Sequence, residues 1–202
     1  MTISSHELGG RLPLADRSSL SESQQHLFDR MTESVVPWAE HNGFTSRTRE
    51  GRFIGPFNGA LLSPVISGGF LDFQAAEETH TSLTERVRQV VILAVGAVWG
   101  SAYELYAHSA AARTTGLPEE TVDALAAGRM PGELSAAERT AWRFAHRLTA
   151  RRRIEQPLYD EARAAFRPKG VTDMVLLIGA YQTVCGLLNT FEVPAPEACH
   201  GN

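Results

Sequence analysis

The chain is 202 residues long and 43% hydrophobic, with 19 basic and 23 acidic residues and a formal net charge of −4. That length and apolar content suffice for one substantial core, and interspersed charges of both signs exclude the basic face that nucleic-acid binding requires. The two cysteines, Cys185 in an apolar run and Cys199 in the tail, have no C-x-x-C spacing and exclude a thiolate metal site.

In chain order, "LSESQQHLFDRMTESVV" predicts an amphipathic helix opened by Ser21, with Leu27, Met31 and Val35 on one stripe, which Pro37 ends or kinks. From His41 to Gly69, glycine and proline interrupt every pattern, leaving a short helix over Asn58 to Leu62. Ser82 with Glu85 reads as a capping box for a buried helix reaching Trp99, which is read as core; Gly100 breaks it and Ser101 restarts the path. Pro118 opens "PEETVDALAAG", and Ser135 with Glu138 caps "AAERTAWRFAHRLTARR", whose Arg151-Arg152-Arg153 run reads as a solvated face or an interface rim. "PLYDEARAAF" and the largely buried "TDMVLLIGAYQTVCGLLNTF" follow, separated by a loop-like R-P-K-G, and "VPAPE" closes the packed part. The fold class is all-α. Residues 1–40 form an N-terminal arm and helix packing on a main helical domain, 41–196, and residues 197–202 are a tail.

No stretch reads as apolar long enough to span a bilayer; the richest, Val87 to Trp99, is interrupted by Arg88 and Gln89. The N-terminal segment lacks a basic-then-apolar secretory layout. These features predict a cytoplasmic protein with no membrane and no nucleic-acid partner. Lys169, the only lysine, sits in the R-P-K-G segment, a poor setting for Schiff-base chemistry.

"GSAYELYAHSAAARTTGLPEE" places Glu104 and His108 four residues apart, hence on one helical face. Such a pair can act as acid and base: the carboxylate raises the imidazole's pKa and fixes which ring nitrogen carries the proton. The competing reading takes Ser101-x-x-Glu104 as a capping box with no chemistry. Tyr103 and Tyr106 suit an apolar pocket with polar tips. His80, just ahead of the buried helix, is a weaker candidate for the same pocket, and His146 lies mid-helix beside Trp142 with a structural role. No H-E-x-x-H is present, and with His80 as the only nearby further ligand no metal site is expected. Gly55-Pro56-Phe57-Asn58-Gly59 lacks the spacing of a phosphate cradle.

Four stretches in order, "GPFNGALLSP", "RVRQVVILAVGAVWGSAYELYAH", "AARTTGLPEETVDAL" and "GAYQTVCGLLNTFEVPAPE", resemble the carboxymuconolactone decarboxylase family, whose superfamily includes the AhpD-like alkylhydroperoxidases; the match runs from about Leu12 to Pro196. The resemblance implies an orthogonally packed AhpD-like helical bundle, assembled as a homotrimer or homohexamer with pockets near subunit interfaces. In the AhpD-like branch a C-x-x-C pair precedes the histidine, with a glutamate upstream. Aligned on His108, Ser101 and Glu104 stand where the cysteines would be and Gln89 where that glutamate would be. Peroxidase chemistry is therefore disfavoured. The lactone decarboxylase branch implies cofactor-free acid–base work with His108 and Glu104 as catalytic residues. Loss of carbon dioxide from an acid conjugated to a carbonyl needs no cofactor. On that reading His108, protonated through Glu104, delivers a proton to carbon. Tyr103 or Tyr106 donates to the developing oxyanion, and Arg88, Arg113 or Arg52 binds the small-molecule substrate's carboxylate. A non-catalytic oligomeric binding protein is the remaining alternative.

Overall fold

The computed structural model describes residues 7–196. Eight α-helices carry the described chain: α1 (Glu22–Asn42), α2 (Pro56–Ala60), α3 (Pro64–His80), α4 (Glu85–Trp99), α5 (Ala102–Thr114), α6 (Glu119–Ala126), α7 (Ala136–Arg151) and α8 (Gln156–Thr190). Among the described residues there is no strand, only an isolated antiparallel bridge between Arg47 and Phe53.

The hub is α4, which packs against α5, α6, α7 and α8. Every residue from Val87 to Gly96 is buried, as a helix that is apolar apart from Arg88 and Gln89 and surrounded by other helices requires. Five aliphatic side chains in that run, Val90, Val91, Ile92, Leu93 and Val95, are fully buried, each stabilising the fold by roughly 1.5–3 kcal/mol relative to exposure. Gly96 sets the approach of α5: a Cβ there would lie 3.1 Å from Leu105 Cδ2 and 3.3 Å from Glu104 Cγ. Gly100, in the left-handed conformation at φ 60°, then turns the chain from α4 into α5.

Several sequence expectations hold in detail. Ser21 caps α1, reciprocated by Gln24, and Leu27, Met31 and Val35 line its buried face. Ser135 and Glu138 form a capping box on α7. His146 stacks on Trp142 with centroids 4.9 Å apart, and Arg151, Arg152 and Arg153 are exposed.

Other expectations are corrected. The helix α1 runs through Pro37 to Asn42. The broken stretch ends at Pro64, where a proline at the first helical position starts α3 through Gly68 and Gly69. The N-cap of α4 is Thr84, whose hydroxyl accepts from Val87 N–H; Ser82 instead donates through both N–H and hydroxyl to Asp173, at 2.8 and 2.7 Å. Trp99 is 38% exposed, because it lies at the last residue of α4, beyond the buried run. The R-P-K-G loop shrinks to one residue, Arg167 (φ 59°, ψ 171°), with Pro168 restarting the helix. Lys169 in that turn binds the His80 carbonyl and Asp173. By length and composition α8 could cross a membrane, contrary to the sequence reading, although half of its most apolar stretch is buried inside the fold.

Candidate functional site

The first turn of α5 points into the protein. Ser101, its N-cap, is fully buried and makes no side-chain cap bond. Neither the Ser101 hydroxyl nor Glu104 Oε1 has a hydrogen-bond partner. The capping-box reading of Ser101-x-x-Glu104 therefore fails; the carboxyl group turns inward, one helical turn below His108.

Both members of the pair are buried, Glu104 at 3% and His108 at 4% exposure. His108 Nε2 lies 3.3 Å from Glu104 Oε1, in contact but outside hydrogen-bond geometry. His108 Nδ1 lies 2.9 Å from Gln89 Oε1 on α4. With the amide oxygen as acceptor, Nδ1 carries the proton and the Nε2 lone pair faces Glu104. The ring of Tyr181 from α8 meets the imidazole edge-on at 4.9 Å and 89°, and the Trp38 ring of α1 lies at 5.8 Å. Four helices thus fix one imidazole.

Burial decides the charge state. Removed from water, the Glu104 carboxyl is pushed up to about 8. Burial, with the Arg88 charge nearby, pushes His108 down to about 3. The expectation that Glu104 raises His108 into its protonated form is overturned, because desolvation outweighs attraction at a contact of 3.3 Å with no hydrogen bond. At neutral pH the pair is a carboxylic acid facing a neutral imidazole, and Glu104 holds the proton.

Cys185, one turn beyond Tyr181 on the same face of α8, is fully buried. Burial pushes its thiol far above the usual range, so it is no nucleophile.

The remaining candidates are placed elsewhere. Arg88 is buried 2.7 Å from Glu77 and 3.0 Å from Glu85, which already satisfy its guanidinium. Arg113 pairs with Asp123 at 3.1 Å and Glu119 at 3.5 Å on the surface. Arg52 lies 3.4 Å from Asp16. His80 is exposed at the end of α3. Among the described residues no group of three or more His, Cys, Asp and Glu side chains is placed to hold a metal. Tyr103 is buried and donates to the Thr45 carbonyl at 2.7 Å, while Tyr106 accepts from the Thr45 N–H at 3.0 Å. A Cβ at Gly55 (φ 66°) would lie 2.4 Å from the Tyr103 ring, so this close seat needs glycine. The two tyrosines clamp a loop and do not face His108 as a pair.

Sequence reasoning had noted Gln89 only by its place and had left out Tyr181 and Trp38. Gln89 carried a usable signal: a neutral polar residue inside a ten-residue buried run needs a partner. Tyr181 and Trp38 carried none, since aromatic residues on apolar helical faces usually only fill space.

Residues 67–147 match the family model described as the carboxymuconolactone decarboxylase family. No curated protein matches the chain significantly. Among solved structures, an alkylhydroperoxidase AhpD core, an uncharacterized peroxidase-related protein from Ralstonia eutropha JMP134, superimposes with a TM-score of 0.72 at 15% identity, over 94% of this chain and 93% of that one. An uncharacterized peroxidase-related protein from Silicibacter sp. TM1040 gives 0.70 at 19% identity, covering 100% and 98%. A cysteine-to-alanine variant of the debrominase Bmp8, in complex with 2,3,4-tribromopyrrole, gives 0.68 at 16% identity, covering 92% and 91%. At these identities the structures establish a shared fold. The family match runs from within α3 to within α7 and includes Gln89, Glu104 and His108, and the chain has the AhpD-like all-α fold of these structures.

Proposed function

We propose that the protein is a cofactor-independent acid–base enzyme that decarboxylates, or isomerises, a small activated lactone or enone carboxylic acid. The observation that carries this reading is the buried Glu104–His108–Gln89 line, with contacts of 3.3 and 2.9 Å, in which Glu104 is released from any capping duty.

The chemistry balances without an external electron acceptor. The bond between substrate carbon and carboxylate breaks, its electron pair enters the conjugated carbonyl as an enolate, and carbon dioxide leaves. The proton that returns to carbon comes from the Glu104–His108 pair, with neutral Glu104 as the store and Nε2 as the transfer atom, and solvent restores it. Gln89 is a positioning residue, holding Nδ1 so that Nε2 faces the pair. A thiol peroxidase reading has no support at this site, because Ser101 and Glu104 stand where the resemblance would put the cysteines and Cys185 is held protonated by burial.

The test is carbon dioxide release from a panel of carboxylated lactones and enones. His108→Ala should lower turnover by about 100-fold or more with the fold intact, as for loss of a general acid or base. Glu104→Gln should also lower it. Equal turnover in both variants and the wild type would refute the assignment.

Self-association belongs to the same proposal: the chain forms a homotrimer or homohexamer. Leu62, Val65 and Ile66, 60%, 82% and 76% exposed, supply an apolar surface that supports it.

A further inference from the structure

The proposed chemistry needs a way in, since His108 is buried. The segment between Gly43 and Gly55 forms a hairpin-like loop: Thr48 N–H donates to the Arg52 carbonyl and Ile54 N–H to the Ser46 carbonyl. Against α1 it lines an open surface hollow of about 610 Å³, bordered by Val36 and Glu40 of α1 and by loop residues including Phe44, Arg47, Arg49 and Glu50. Phe44 is 6% exposed and stands between this hollow and the interior. Its ring meets Trp38 edge-on with centroids 4.9 Å apart, and Trp38 lies 5.8 Å from the imidazole of His108. Two aromatic rings in series, Phe44 buried and Trp38 half-buried, therefore connect an open hollow to the buried acid–base pair. The Tyr103 and Tyr106 hydroxyls hold Thr45 by its carbonyl and its N–H, fixing the residue next to Phe44 from the α5 side.

We infer that this hollow is the docking site and entrance for a planar organic carboxylate, with Phe44 as the residue that opens the route past Trp38 to His108. The Phe44 ring in the lining offers a flat, conjugated body an aromatic contact. Two carboxylates share the hollow with two guanidiniums: Glu40 is loosely paired with Arg47 at 3.8 Å, while Glu50 is near Arg49 but makes no ion pair within 4.0 Å among the described residues, so the Arg49 guanidinium has donors free for an anionic group. Arg88, Arg113 and Arg52 each already face a carboxylate outside the hollow, which leaves Arg47 and Arg49 to supply the anion contact. The inference rests on the acid–base reading for the substrate class, while the route itself follows from geometry.

The experiment uses no turnover. Diethyl pyrocarbonate acylates unprotonated imidazole, and the neutral His108 ring is protected only by burial. Labelling of each histidine is followed by peptide mass spectrometry in the full-length chain. Phe44→Ala should raise the labelling rate of His108 by about tenfold or more, with the exposed His26, His41 and His80 unchanged. Phe53→Ala, which removes an equally buried ring from the same loop away from the route, should not. Benzoate should bind the wild type, where benzylamine does not, and should slow His108 labelling in Phe44→Ala. Arg47→Gln with Arg49→Gln should weaken benzoate binding at least about tenfold. Unchanged His108 labelling in Phe44→Ala, or equal labelling in Phe53→Ala, would overturn the route. Benzoate affinity indifferent to both arginines would overturn the ligand class. A confirmed route without carbon dioxide release would sink the decarboxylase reading and leave the entrance standing.

Discussion

Glu104 and His108 are displaced from their ordinary ionisation in opposite directions by one cause, and this makes a two-sided statement about pH. Glu104 holds its proton up to about 8, against an ordinary value of 4.5, so the folded state loses stability as pH rises from 4.5 toward 8. His108 resists protonation down to about 3, against 6.5, so stability is lost as pH falls from 6.5 toward 3. The pair's penalty is least between 4.5 and 6.5. Glu104→Gln keeps shape and removes the alkaline limb. Thermal unfolding should show the wild type losing about 2 kcal/mol relative to the variant between pH 6.5 and 8, roughly 5 °C in Tm; parallel curves would refute the protonated Glu104. Turnover should likewise fall as pH rises through about 8. The spacing of Glu104 and His108 put both on one face and so was legible. The direction of their pKa shifts was not, because it depends on burial by α1, α4 and α8, which lie far away in the chain.

At the scale of elements, α8 carries the sharpest local conflict. Arg167 sits at φ 59°, ψ 171°, a region populated almost only by glycine, where other residues are strained by about 1–3 kcal/mol. The residue is exposed, so nothing in its side chain requires the position. Arg167→Gly should stabilise the fold by about 1 kcal/mol after the added chain entropy is counted. Arg163→Gly, on an exposed regular turn of the same helix, should destabilise by a similar amount. Urea denaturation of both variants checks this, and a loss at Arg167 would show that the break is unstrained. Sequence legibility was uneven here for a physical reason. Caps written locally, such as Ser21 with Gln24 and Ser135 with Glu138, were legible or nearly so. Ser82 was misread because its partner, Asp173, lies 91 residues away, and the start of α3 was hidden by glycines that tertiary packing tolerates.

For the whole molecule, the unresolved balance is between a core completed within one chain and apolar surface left outside it. The buried run of α4 is satisfied inside the subunit, whereas Leu62, Val65 and Ile66 cluster at the α2–α3 turn with most of their surface in solvent. Exposed aliphatic side chains grouped in this way mark a contact surface. Replacing both Val65 and Ile66 with Glu tests self-association cleanly, because exposure of 82% and 76% means little packing within the subunit is lost. The positions also fall in the first turn of α3, where negative charge favours the helix dipole, so the subunit itself should not be weakened. Light scattering coupled to size exclusion should give three or six chains for the wild type and a smaller species for the double variant, with circular dichroism unchanged. A wild type that runs as a single chain, or a double variant of undiminished mass, would remove this surface from the assembly.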